Sequence, residues 1–221
     1  MKPSYKEELI YLNKLIAQGE HQQLDFKFAI TDSRKIARSL VAFANTDGGT
    51  LLVGVKDNGK IAGVRSEEEI YMVDAAASMY CKPEIKFKLR LWEPEKDKQV
   101  LEVVVEADQK KMWKAQADDG QWKVWLRYLD QNIVAGNVWE KAWKKKQSTN
   151  SKTIVFNKHE QLVFSHLNVK AQYTIEEIVK LTELKSTAAE DIISDFIALG
   201  LMEMHPREHG MTFSVKQKLN L

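Results

Sequence analysis

Residues 42–64 read AFANTDGGTLLVGVKDNGKIAGV, and this stretch sets the rhythm of the first part of the chain. Phe43 closes an apolar helical stripe made with Ile36, Leu40 and Val41, and the polar NTDGG run ends that helix. TLLVGV (50–55) and GKIAGV (59–64) then read as two short strands joined by the turn Lys56-Asp57-Asn58-Gly59, a hairpin signal. Moving outward toward the N-terminus, HQQLDFKFAI (21–30) alternates Leu24, Phe26, Phe28 and Ile30 with Asp25, Lys27 and Ala29. That is a half-buried strand with Asp25 and Lys27 on its opposite face. Thr31, Asp32 or Ser33 can cap the helix that follows, and an earlier helix is expected over Lys6–Ala17 with Gly19 as its stop.

Toward the C-terminus, Ser66 with Glu69 reads as a capping box opening a helix to about Met79. Ile85–Trp92 and Val100–Glu106 read as paired strands around the charged turn EPEKDK. Trp113–Ala117 and Trp122–Arg127 read as a hairpin across Asp118-Asp119-Gly120. A basic helix is expected over about Asn132–Lys146, and QSTNSK (147–152) reads as a polar linker. Beyond it the rhythm changes to three helices, over Asn157–Leu167, after Thr174, and from a Ser186-Thr187 cap to about Leu199. Two strands in LMEMHPREHGMTFSV (201–215) follow. Three helices and a β-hairpin are the order of a winged helix-turn-helix. The expectation is an α+β protein: a mixed-sheet domain with flanking helices over residues 1–147, then a small winged helix-turn-helix domain over 153–221.

Composition excludes several classes. The longest apolar run is far short of a membrane span, and the N-terminus lacks the uninterrupted apolar stretch of a signal peptide, so a soluble cytoplasmic protein with no membrane partner is expected. One cysteine, Cys81, gives no disulfide framework and cannot build a thiolate zinc site. The net charge of +2 is unevenly spread, with eight basic against nine acidic residues from Ser151 onward. Any basic surface for nucleic acid therefore belongs to the first two thirds of the chain.

Three features bear on chemistry. Glu20, Asp25 and Asp57 come from separate elements, and carboxylates gathered in this way hold Mg²⁺ or Mn²⁺ through oxygen and activate water at a phosphodiester. Asp57 in KDNG is equally what a hairpin turn calls for. The two glycines of NTDGG suit phosphate contacts, or a helix C-cap at Gly48 and a close backbone approach at Gly49, and Asn45 suits either a cap or a ligand. No GxxxxGK[ST] occurs, so a Walker-type nucleotide site has no support. In WLRYLDQNIVAGNVWEKAWKKK (125–146), Lys141, Lys144 and Lys145 stand among tryptophans, with Arg127 on the preceding strand. That pattern suits phosphate contact and base stacking, or a solvated helix face over a core stripe. Serine and cysteine nucleophiles lack partner spacing.

Taken together, GEHQQLDFKFA (19–29), AFANTDGGTLLVGVKDNGKIAGV (42–64) and WLRYLDQNIVA (125–135) resemble the Schlafen AlbA-type domain. This family is often labelled DNA-binding and is found in bacterial proteins that carry a C-terminal winged helix and a transcription-regulator label. The resemblance implies a nucleic-acid-binding regulator that takes DNA or RNA. By motif position Glu20, Asp25 and Asp57 fall on the three acids with which vertebrate Schlafen proteins cleave structured RNA using a divalent metal. A metal-dependent endoribonuclease is therefore the alternative, with those three acids as catalytic and metal-binding residues and Lys27 and Arg127 on phosphates. Asp25 stands where the family usually has Glu, which shortens its reach by a methylene. A second alternative is a non-catalytic protein-interaction scaffold. Some Schlafen cores pair two lobes around a basic groove, which implies a homodimer for a chain with one lobe.

Overall fold

A computed structural model describes residues 4–64, 66–148, 156–167, 171–208 and 210–216. The polar linker read at 147–152 lies outside them from residue 149 on, and so does His209. The chain divides into two compact units, Met1–Val134 and Ala135–Leu221.

In the first unit, α1 (Tyr5–Ile16) opens on a capping box between Ser4 and Glu7. It is followed by β1 (Leu24–Lys27), α2 (Ser33–Asn45), β2 (Gly49–Val53), α3 (Glu68–Met79), β3 (Cys81–Lys82), β4 (Lys88–Glu95) and β5 (Lys98–Val105). Then come β6 (Lys114–Gln116), β7 (Trp122–Lys123), β8 (Trp125–Tyr128) and β9 (Gln131–Val134). The main sheet runs β1-β2-β5-β4, with β1 and β2 parallel and the other neighbours antiparallel. Alternation along β2 sends Leu51 and Val53 to one face, where they pack with Leu40, Val41 and Phe43 of α2 and Val73 of α3. Leu52 goes to the other face, with Phe26, Leu24 and Leu12 of α1. The sheet is thus covered on both sides, and β1 is buried at Leu24, Asp25 and Phe26 alike. On the α1 side the buried Glu102 ties helix to sheet, accepting from Tyr11 Oη and Trp92 Nε1, both at 2.7 Å.

Several expectations change in detail. GKIAGV forms no strand, only the isolated bridge Val55–Ile61. Ser66 does not cap α3, whose first residues lack a side-chain cap; Glu69 instead turns to the backbone N–H of Ile30, at 3.1 Å. The basic helix begins at Gly136, because residues 131–134 form β9 and pair with β8 through a turn at Leu129-Asp130. Leu129 adopts φ 55° there, a left-handed conformation that no glycine or asparagine announces.

The second unit comprises α4 (Gly136–Gln147), α5 (Lys158–His166), α6 (Ile175–Thr182), α7 (Ser186–Ala198), and the antiparallel pair β10 (Met202–Arg207) and β11 (Gly210–Val215). Asn157 and Thr174 each form a capping box, at the starts of α5 and α6. Val138 and Ala142 of α4 lie in one cluster with Val163, Ile178, Ile193, Phe196 and Phe213. The basic helix therefore belongs to this unit, and the division falls after Val134 rather than after residue 147. Among the described residues no helix is long and apolar enough to cross a membrane.

Candidate functional site

Asp25 is the centre of the site. It projects from β1 toward α2 and is 2% exposed. Oδ1 accepts from Lys27 Nζ at 2.9 Å and lies 3.5 Å from Arg127 Nη2, while Oδ2 accepts from Ser39 Oγ at 3.3 Å. Lys27 reaches Asp25 because residues two apart in a strand share a face, and its Nζ also donates to the Phe26 carbonyl at 2.8 Å. Ser39 sits on the buried stripe of α2 between Ile36 and Phe43 and accepts from Asn132 Nδ2 at 2.9 Å.

Arg127 enters from β8, directly opposite Asn132 on β9. Its side chain is 1% exposed. Nη1 donates to Asn132 Oδ1 at 3.1 Å, and Nη2 to the carbonyls of Leu24 and His21 at 3.2 and 3.4 Å. The guanidinium carbon lies 5.3 Å from the Phe43 ring centroid. Its Nε is buried without an acceptor among the described residues, at a cost of about 1–3 kcal/mol. Arg127 thus joins the β8–β9 hairpin to β1, and what it meets is buried carboxylate and backbone rather than solvent.

Glu20, just before β1, accepts from the backbone N–H of Phe26 at 2.8 Å. Its pKa is raised above the ordinary glutamate range, first by burial and then by its hydrogen bond to Asp25, against the lowering effect of the Phe26 N–H and Lys27. Glu20, Asp25, Lys27 and Arg127 form a near-neutral network of two acids and two cations, closed by Ser39 and Asn132.

The third acid expected from the sequence does not join them. Asp57 is exposed in the turn after β2, where Gly59 N–H donates to the Lys56 carbonyl at 2.7 Å. Among the described residues no three His, Cys, Asp or Glu side chains come together as a metal site. A divalent ion does not fit beside Asp25 either: both oxygens are engaged, two cations already balance the charge, and the carboxylate is sealed from water.

Two of the lysines of α4 are similarly engaged. Lys141 pairs with Glu190 at 3.0 Å and Asp191 at 2.8 Å of α7, and Lys145 with Asp195 at 2.9 Å. Lys145 also donates to Ser194 Oγ and the Asp191 carbonyl, at 2.8 and 2.9 Å. Lys144 lies in the last turn of α4. Asn45 proves to be an internal clamp: its amide donates to the carbonyls of Trp113 and Trp125 and accepts from the N–H of Trp113, at 2.9–3.1 Å. The two glycines after it answer to packing. A Cβ on Gly49 would meet the Phe43 ring at 2.4 Å, and Gly48 takes φ 71° with the Val105 carbonyl 2.9 Å from where its Cβ would stand. Burial pushes the Cys81 thiol up to about 12, so it is no nucleophile at neutral pH. Ser39 and Asn132 were not singled out from the sequence. The available signals were a hydroxyl on an otherwise apolar stripe and an amide cross-strand from an arginine.

No curated protein sequence matches this chain. Among solved structures it is similar to the DIP2311 protein from Corynebacterium diphtheriae, at 17% identity and a TM-score of 0.45, over 73% of this chain and 38% of that one. It is also similar to the N-terminal domain of a protein related to the ATP-dependent DNA helicase RecG from Nitrosomonas europaea, at 20% identity and a TM-score of 0.38, over 72% of this chain and 97% of that one. This chain therefore spans well under half the length of the Corynebacterium protein. The family model described as Schlafen, AlbA_2 matches residues 20–136, more than half of the chain and inclusive of Glu20, Asp25, Asp57 and Arg127. The chain belongs to the Schlafen AlbA_2 family.

Proposed function

We propose that this chain is a nucleic-acid-binding regulatory protein that holds its ligand without cutting it, through the first unit. Family membership supports binding of nucleic acid. The observation that carries the non-catalytic part is the state of Asp25, a carboxylate enclosed by Lys27, Arg127 and Ser39 while Asp57 stands apart. Such a network fixes β1, α2 and the β8–β9 hairpin to one another and, among the described residues, leaves no carboxylate set to orient a metal-bound water.

The element order of the second unit supports reading it as a winged helix-turn-helix. Its role in this proposal is not groove insertion. The helix that such a fold offers to a duplex is α7, and Glu190, Asp191 and Asp195 give it the wrong sign for phosphate. Those acids are held by Lys141 and Lys145, so neither side of the α4–α7 contact is available as a phosphate site.

Fluorescence anisotropy with labelled duplex DNA, single-stranded DNA and RNA, in EDTA and across a sodium chloride series, tests the reading. Binding is expected in EDTA at low salt, weakening steeply as salt rises. Lys141→Gln and Lys145→Gln are expected to bind as the parent does. Absence of binding to every probe at the lowest salt would overturn the proposal.

A further inference from the structure

The main sheet ends on β1 at one side and on β4 at the other. Side chains close the β1 edge. Arg127 Nη2 donates to the Leu24 carbonyl at 3.2 Å, Lys27 Nζ to the Phe26 carbonyl at 2.8 Å, and the Phe26 N–H to Glu20 at 2.8 Å. On the β4 edge the Glu93 N–H donates to the buried Glu8 of α1 at 2.5 Å. Alternation turns the N–H and C=O of Leu91 and Leu89 the same way as those of Glu93, and among the described residues no side chain or loop takes them. Their side chains are open as well. Leu89 and Leu91 stand beside Val103 and Leu101 on the α2 face of the sheet, yet they remain 38% and 39% exposed.

An open edge pairs with any compatible strand, so the charges of β4 decide which strand that is. Lys88 and Arg90 alternate with the leucines and are exposed on the α1 side. The Arg90 guanidinium lies 4.9 Å from the Trp92 ring centroid. Lys88 meets Glu106 at 2.5 Å, in a pair so exposed that it holds the lysine weakly. A second copy pairing antiparallel about a two-fold axis keeps each face of the sheet on its own side, so only registers centred on a residue are open to it. Centred on Leu89, Lys88 would stand opposite Arg90 of the second copy; centred on Arg90, that cation would meet itself. Centred on Leu91, Leu89 would stand opposite Glu93, whose N–H is already taken. The cations therefore work against self-pairing and favour acids at alternate positions of an added strand.

We infer that the outer edge of β4, from Lys88 to Leu91, is a docking site for an extended segment of a partner protein in which acidic and apolar residues alternate. The segment joins the main sheet as a further strand, its backbone bonded to Leu89 and Leu91. Its acids lie beside Lys88 and Arg90, and its apolar side chains cover Leu89 and Leu91 on the other face. This edge lies across the sheet from β1 and the network around Asp25, so the inference goes beyond nucleic-acid binding and does not depend on it.

Nitrogen–proton correlation spectra of the full chain, titrated with the capped peptide Glu-Val-Glu-Val-Glu-Val, test it. The amide signals of Leu89 and Leu91 are expected to shift and their hydrogen exchange to slow, while the peptide Lys-Val-Lys-Val-Lys-Val leaves both unchanged. The double variant Lys88→Gln/Arg90→Gln replaces only exposed residues and is expected to bind the acidic peptide about tenfold more weakly. Leu91→Pro removes one outward N–H and leaves the β4–β5 ladder in place; it is expected to abolish the shift at Leu89 with the other amides of the sheet unmoved. Leu89 and Leu91 amides that do not respond to the acidic peptide, or respond equally to the lysine peptide, would overturn the inference. Protection of these amides that grows with protein concentration in the free chain would also overturn it, by placing a second copy on the edge. Oligo(dT) moving the same two amides would do so by giving the edge to nucleic acid.

Discussion

Arg127 is a charged side chain almost wholly withdrawn from water, and its partners explain why that is tolerable. Asp25 supplies the counter-charge, Asn132 and two backbone carbonyls take N–H groups, and Phe43 faces the guanidinium. Removing one member of a buried ion pair costs more than the pair contributes, since the other charge is left behind. Arg127→Met is therefore expected to lower the free energy of unfolding by about 3 kcal/mol in urea titration, and adding Asp25→Asn to it should return part of that loss. Equal stability of Arg127→Met and the parent would contradict the assignment. Glu20 gives a pH signature. The folded chain holds the Glu20 proton to higher pH than the unfolded chain does, so the stability this provides is complete below the ordinary glutamate range and is lost as pH rises through the raised value. Glu20→Gln can still accept from the Phe26 N–H, and it should flatten that decline and raise the melting temperature at neutral pH. A steeper decline in the variant would reverse the sign and refute the cause. The neighbourhood of Asp25 and Lys27 was readable in the sequence, because strand alternation alone puts them on one face. That Asp57 does not join them was not readable, because convergence depends on where the turn after β2 points.

The β8–β9 hairpin shows how an element escapes sequence reading. Its turn, Tyr128-Leu129-Asp130-Gln131, carries neither glycine nor proline, and the left-handed residue is Leu129. With no turn signal, the apolar residues Ile133, Val138 and Ala142 run together into one apparent helix beginning at Asn132. Of the helix starts read from cap chemistry, Asp32 and Thr174 each accept from a backbone N–H, whereas α3 and α7 open without a side-chain cap, so Ser66 and Ser186-Thr187 do not serve as caps. The basic face of α4 was readable as a lysine cluster, but its partner was not, because Glu190, Asp191 and Asp195 lie far along the chain on α7. Lys145 is the most heavily engaged of these lysines, with Asp195, Ser194 and the Asp191 carbonyl as acceptors. Lys145→Met is expected to cost about 1 kcal/mol, measured as a lower urea midpoint, and to leave nucleic-acid affinity unchanged. A loss of affinity with no loss of stability would return this lysine to the binding surface.

At the scale of the whole molecule, the sequence carried the two-unit plan, the α+β class and the uneven charge. The boundary was expected after residue 147 and falls after Val134, because a polar linker is a stronger written signal than the apolar face of α4. What spacing could not carry is the difference between three acids in a chain and three acids in a site. The proposed function turns on that difference: if Glu20 and Asp25 belong to a brace, bound nucleic acid is released intact. The direct measurement is a denaturing gel of labelled structured RNA and duplex DNA incubated with the full chain in Mn²⁺ or in EDTA. Intact strands in both conditions, at protein concentrations where anisotropy reports binding, are the predicted result. Metal-dependent fragments that disappear in both Asp25→Asn and Asp57→Asn would contradict it and make the three carboxylates a catalytic set.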